Sequence, residues 1–269
     1  MTKNKVIHSI FYVFFAFHHI YGQTDKEFWF VAPIVTLYNN PAGGQPVYFH
    51  INTFNADASI YIEMPSNPAF NDTTLYIQAN TYQRFTINYS EIANSYDTLG
   101  GINGKNNKGI HIVSDVPVSI IYEYANNNNT DFFSLKGTNA LGTEFFTVFQ
   151  TFTDNQNNDW PVQAYSAFDI VATEDGTVVT IETSKDIYGY TGQPSFFVNL
   201  NKGETFTAIP QLNPLHPPFN GIKISDIYSR DNLDRLSGCR ITTNGKKIAV
   251  TLKDDSMVSP LGTSFSDLG

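Results

Sequence analysis

Apolar and polar residues alternate with a period of two along most of this chain. Phe49, Ile51 and Thr53 point one way while His50 and Asn52 point the other, and Val179 and Ile181 alternate with Val178, Thr180 and Glu182. Alternation of this kind marks half-buried β-strands, whose successive side chains face opposite sides of a sheet. Between the alternating segments stand Asn55-Ala56-Asp57, Glu174-Asp175-Gly176, Asn201-Lys202-Gly203 and Asn244-Gly245. Such residues tolerate positive φ or satisfy their own backbone, so a succession of hairpins is expected. No segment of ten or more residues combines a 3.6-residue apolar period with a cap, and the folded part of the chain is expected to be all-β with few helices.

The pattern repeats. FHINTFNADASIYIE at Phe49 to Glu63 returns as FDIVATEDGTVVTIE at Phe168 to Glu182, and EFWFV at Glu27 to Val31 returns as EFFTV at Glu144 to Val148. GIHIVSDVPVSII (Gly109 to Ile121) aligns with CRITTNGKKIAVT (Cys239 to Thr251) once a residue is inserted in the second turn. Three matched segments in one order imply duplication of a unit of roughly 120 residues. Six or seven strands per unit fit tandem antiparallel β-sandwiches, with blades of a β-propeller as the alternative. The expected division is a signal over 1–22, a first repeat over 27–143 and a second over 144–269, which stops part-way through.

The signal is read from Lys3 and Lys5 followed by the apolar run Ile10 to Phe17, too short to span a bilayer and suited to cleavage after Gly22. Its removal takes away His8, His18 and His19. The formal charge of the whole chain is −9 and no Lys/Arg cluster tracks a phosphate backbone, which excludes nucleic acid as an expected partner. Charged residues make up only 15%, so the surface is polar but mostly uncharged. The one cysteine, Cys239, excludes an internal disulfide and leaves stability to the hydrophobic core. Opposite Gly109 in the alignment, it reads as a small buried residue.

Candidate chemistry is sparse. His50 and His111 lie between apolar strand residues and are read as solvent-facing, with Asp169 and Arg240 in their places in the second copy; His216, in the proline-dense loop Pro210 to Phe219, has no ligand-type neighbour. The loop Asp154 to Asp159 offers oxygen ligands but lacks the glycine and distal glutamate of an EF-hand. Glu174-Asp175, Asp231 with Asp234, and Asp254-Asp255 are the acids a glycosidase reading would use; the first pair sits at a turn, and the others are placed near solvated strand ends. No nucleophile elbow, zinc-protease helix or phosphate loop is present in the sequence. Asn71, Asn88 and Asn128 head N-glycan acceptor triplets. No catalytic residue, metal ligand or cofactor is therefore expected.

LGTEF (Leu141 to Phe145), FDIVATEDGTVVTIE, VNLNKGETF (Val198 to Phe206) and LSGCRITTNGKKIAVT (Leu236 to Thr251) together resemble the N-terminal domain of IgGFc-binding proteins. The resemblance is close in the second copy and looser in the first. It implies a place in a large secreted or surface protein, among animal mucus components and bacterial exported proteins, beside adhesive or surface-sorting modules. The cysteine-rich modules of the animal members are absent, and Arg235 stands between Asp234 and Leu236. Ser266-Asp267-Leu268-Gly269 resembles the start of a longer family motif. The reading is an exported, non-catalytic binding or adhesion module for an extracellular glycan or glycoprotein, or a spacer beside further domains of its own chain, with a carbohydrate-active enzyme as the third option.

Overall fold

The computed structural model of the chain describes residues 23–33, 46–92, 104–125, 130–149, 154–155, 166–210, 235–254 and 257–258. The segment expected to be a signal, the whole Asn126–Asn129 stretch and the Asp231, Asp234, Asp255 and His216 positions lie outside them. Strands β1 (Asp25–Val31), β2 (Pro46–Asn52), β3 (Ala58–Glu63), β4 (Thr73–Ile77) and β5 (Tyr82–Asn88) are followed by a single helical turn, α1 (Tyr89–Ile92). Then come β6 (Lys105–Asn106), β7 (Gly109–Ala125) and β8 (Thr130–Ser134).

The long β7 organises the first unit. Its first half pairs with β1 and β3, and β4 extends that sheet; its second half pairs with β2 and β8, and β5 lies beyond β2. The change of sheet falls at Asp115 to Pro117, where proline has no N–H for a ladder. The Asp115 carboxylate instead accepts from the Ser59 N–H at 2.8 Å. Phe28, Ile60, Ile62 and Ile112 from one sheet meet Phe49, Ile51, Ile120 and Tyr122 from the other in one core, which makes the unit a sandwich.

The expected hairpins are not hairpins. Although Asn55-Ala56-Asp57 reverses the chain, β2 and β3 do not pair with each other: β2 bonds to β5 and β7, β3 to β4 and β7. Phe49 to Glu63 is an arch whose two arms sit in opposite sheets and face each other through the core.

The second unit repeats the scheme. A 3-10 turn (Gly137–Ala140) leads into β9 (Leu141–Gly142), β10 (Glu144–Phe146) and β11 (Asp154–Asn155), then β12 (Ser166–Ala172), β13 (Thr177–Glu182), β14 (Ser195–Leu200), β15 (Thr205–Ala208), β16 (Arg240–Thr243), β17 (Ile248–Asp254) and β18 (Met257–Val258). One sheet runs β10-β16-β13-β14 and the other β6-β15-β12-β17-β9, while β11 pairs with β18. With β12, β13, β14 and β15 in place of β2, β3, β4 and β5, and β10 in place of β1, the β1–β7, β2–β5, β2–β7, β3–β4 and β3–β7 pairings of the first unit each have a counterpart, while β8 has none among the described residues. The span of β7 is divided here into β16 and β17, and Asn244-Gly245, with Gly245 at φ 94°, carries the chain from one sheet to the other. Phe168, Ile170, Ile181, Phe206 and Ile241 fill this second core.

The two units share a seam. Strand β6, from the first unit, completes the edge of the second unit's sheet against β15, and Lys105 pairs with Glu204 at 2.8 Å. The Gly109 N–H donates to the Gly203 carbonyl at 3.1 Å. Trp29 and Val31 pack with Val171 and Ala249 as a small separate apolar cluster across the junction.

Candidate functional site

The outer face of the sheet formed by β5, β2, the second half of β7 and β8 carries an open set of aromatic and charged side chains. The period of two that buries Val47, Phe49 and Ile51 turns Tyr48 and His50 outward, and register sets His50 beside Arg84 and Tyr48 beside Glu123. The His50 ring stacks on Tyr82 with centroids 5.7 Å apart and planes 17° from parallel, its Nδ1 2.6 Å from the Tyr82 hydroxyl. Its Nε2 makes a short contact with the Glu123 carboxylate. The Arg84 guanidinium lies 4.5 Å above the centre of the Tyr48 ring. Phe132, opposite Glu123 on β8, is exposed, as is Tyr82.

The face thus holds its aromatic rings in fixed positions by neighbouring charges. Tyrosine and arginine give large contact area with few rotors to freeze, which is why they concentrate at recognition surfaces. The same positions in the second unit are closed: Asp169, Thr205, Thr207 and Lys253, which replace His50, Tyr82, Arg84 and Glu123, are all buried. There Asp169 accepts a hydrogen bond from the Thr207 hydroxyl.

A second cluster sits at the seam. His111 is buried, not solvent-facing: Trp29 stacks on it at 4.0 Å and 17°, and Trp29 is itself packed on Val171 and Ala249 of the second unit. Its Nδ1 lies 2.7 Å from Glu63 and its Nε2 3.1 Å from Glu27. In the second unit Arg240 occupies this place, 2.7 Å from Glu144 and 3.3 Å from Glu182. Hydrogen bonds from Arg240 to these two carboxylates, with their charge, raise its pKa above the ordinary value. Glu27 matches Glu144 and Glu63 matches Glu182, so both copies keep a nitrogen-bearing side chain between two carboxylates although the residue differs. Sequence comparison position by position missed this, and the repeated glutamates were the available signal.

The remaining candidates are accounted for by local structure. Asp175 accepts from the Lys202 N–H at 2.9 Å and Glu174 supplies its carbonyl to Thr177, so this acid pair shapes its turn. Asp254 is not at a solvated strand end: it is buried, accepts from the Ser166 hydroxyl at 2.5 Å and lies 3.5 Å from the equally buried Arg235. The arginine that departs from the family pattern is thus the partner of a buried acid. Asp154-Asn155 forms a short strand, and the rest of that loop lies outside the described residues. Among the described residues no group of three His, Cys, Asp or Glu could hold a metal ion. Asn71 and Asn88 are exposed. Cys239 is buried but stands at the position of Ile110, not Gly109, because Thr147 bonds to it as Phe30 pairs with Ile110. Burial pushes its thiol pKa up, against hydrogen bonds to Thr183 and Thr147 that lower it.

The family model described as IgGFc binding protein matches residues 131–268, from β8 through the second unit and a little over half of the chain. No curated protein and no solved structure matches. No helix among the described residues is long and apolar enough to cross a membrane.

Proposed function

The chain belongs to the IgGFc binding protein family, and from that premise we propose that it is an extracellular, non-catalytic binding module whose ligand lies across the outer face built by Tyr48, His50, Tyr82, Arg84, Glu123 and Phe132. The ligand is a glycan or protein surface met outside the cell, a reading supported by the basic start at Lys3 and Lys5 and the apolar run Ile10 to Phe17, which read as a secretory signal. One observation carries the reading: this face is open and aromatic in the first unit, while its counterpart in the second unit is buried. A core-forming requirement would treat both copies alike, so retention of exposed rings on one copy points to recognition. The acids that a glycosidase would need support turns or pair with a buried arginine where they are described, which leaves binding as the favoured role.

The test is a broad array of extracellular glycans and glycoproteins probed with the folded chain. Tyr82→Ala and Arg84→Ala lower capture of the ligand about tenfold or more each with the melting temperature unchanged, in line with hot-spot aromatic and arginine side chains. Phe197→Ala, on the second unit, leaves capture unchanged. No capture of any array member, or equal capture by all three variants, removes this face from the function.

A second reading, a spacer in a larger surface assembly, is favoured by the seam, where a strand donated by one unit completes the sheet of the next. It does not require a ligand at the open face.

A further inference from the structure

The face of the first unit that the second unit covers recurs on the second unit, where its apolar side chains are exposed. The register equates Trp29 with Phe146 and Val31 with Val148: Trp29 lies opposite His111 and Glu63, Phe146 opposite Arg240 and Glu182. Exposure divides these equivalent positions. Trp29 is 6% and Val31 1% exposed, while Phe146 is 62% and Val148 75% exposed. The glycines behind them divide in the same way. A Cβ on Gly109 would meet Val171 at 2.5 Å and the Gly203 carbonyl at 2.6 Å, whereas one on Gly238, opposite Val148, meets nothing within 4 Å.

We propose that Glu144, Phe146, Val148, Glu182, Gly238 and Arg240 form the docking surface for a further β unit of the same build, seated as the second unit is seated on the first. The existing seam states what the occupant must present. Val171 and Ala249 give it small aliphatic side chains beside the aromatic ring. The turn lysine, Lys202, reaches 5.7 Å from the centre of the Trp29 ring and 3.9 Å from Glu63. On the second unit Phe146 and Glu182 offer a lysine the same ring and the same carboxylate, a pairing that a ring face and an acid both favour. The first unit of another copy does not qualify, because Asn52 and Ser119 stand where Val171 and Ala249 stand. The occupant therefore resembles the second unit. This inference develops the spacer reading, and it stands apart from the ligand face, which lies on the other sheet.

The test keeps the full chain, carrying Val148→Cys, and joins a copy of residues 143–269 after Gly269, where Leu268-Gly269 matches Leu141-Gly142. Maleimide labelling of the residue-148 thiol is expected to slow about 100-fold relative to the unextended chain, the protection given by a modestly stable interface. Val31→Cys in the unextended chain supplies the slow reference. Equal labelling of both chains with the added copy folded overturns the proposal. An added copy that shows no cooperative melt overturns it equally, since the surface is held to support a neighbour as the first unit supports the second. Concentration-dependent association of the unextended chain, abolished by Phe146→Arg, would assign the surface to a second copy and likewise overturn it. Ligand capture on the array is independent of each of these outcomes.

Discussion

Replacing Trp29 with alanine is expected to destabilise the chain far more than the same replacement of Phe146, although the two occupy equivalent positions. Trp29 is almost fully buried, stacks on His111, donates from Nε1 to Glu27 at 2.9 Å and packs on Val31, Val171 and Ala249. Truncation leaves a cavity between units whose backbones are already in contact at Gly109 and Gly203 and cannot close on it. Large-to-small aromatic substitutions at such sites cost about 3–5 kcal/mol. Phe146 is mostly exposed, so its loss costs within about 0.5 kcal/mol, as at other surface positions. For a chain of this size that separates the two variants by about 10 °C in melting temperature. Scanning calorimetry of wild type, Trp29→Ala and Phe146→Ala measures it, and loosening of the seam in Trp29→Ala splits the unfolding into two transitions. Melting shifts within about 1 °C of each other in the two variants would refute the account of the seam, because a difference of kcal/mol size cannot hide in so small a shift.

The buried hydroxyl of Tyr122 has no hydrogen-bond partner among the described residues, and burial holds its pKa far above the ordinary range. Tyr122→Phe should therefore raise stability by about 1 kcal/mol, read from urea midpoints, and a loss of similar size would show a missed partner. Burial pushes the Asp25 carboxyl up, but hydrogen bonds from the Thr138 hydroxyl and from the Lys26 and Thr138 N–H groups outweigh it and hold the pKa below the ordinary 3.8. A depressed folded-state value adds stability above the unfolded pKa and loses it as the pH falls through the folded one. The deficit of Thr138→Ala relative to wild type, under about 1 kcal/mol at this mostly exposed site, is thus largest near neutrality and shrinks in acid. A deficit independent of pH would remove Asp25 from the explanation. The Cys239 thiol should react with a disulfide reagent only on unfolding, and prompt stoichiometric reaction of the native chain would contradict its burial.

The period of two was enough to find the strands and the repeat was enough to equate them, since Phe49, Ile51, Ile60 and Ile62 of the first core have Phe168, Ile170, Val179 and Ile181 facing inward at matched positions in the second. What it did not show was pairing. Turn residues such as Asn55 or Gly176 dictate that the chain reverses, not whether the returning arm bonds to its neighbour or crosses to face it. Alternation on both arms is equally compatible with a hairpin and an arch, and only the partners β5 and β7 decide between them. The misplaced solvent exposure of His111 has the same origin: its strand does turn it outward, but the cover comes from Trp29 and a unit more than fifty residues away in the chain. Arg235 and Asp254 were separate curiosities in the sequence, and distance alone joins them. The proposed ligand face was legible only as scattered outward residues, because its unity depends on four strands being laid side by side.

Duplication makes the two units differ in a way that a single domain could not reveal. Each copy has an outer sheet face and a β1-type face, and the seam consumes one of each: the outer face of the second unit, with Val171 and Ala249, and the β1 face of the first, with Trp29 and Val31. The faces left over are chemically unlike. The first unit keeps Tyr82, Arg84 and Phe132, rings set among charges, where the buried counterpart has Thr205 and Thr207; this is the change expected when a surface is released from packing and taken up by recognition. The second unit keeps Phe146 and Val148, apolar side chains that resemble those of the consumed face. A surface freed from packing for good would gain nothing by retaining them, and two exposed apolar side chains beside each other carry a cost in solubility. Their retention follows if that face is consumed in turn by a neighbour, whereas the outer face of the first unit carries Tyr82 and Phe132 exposed and has diverged from its buried counterpart.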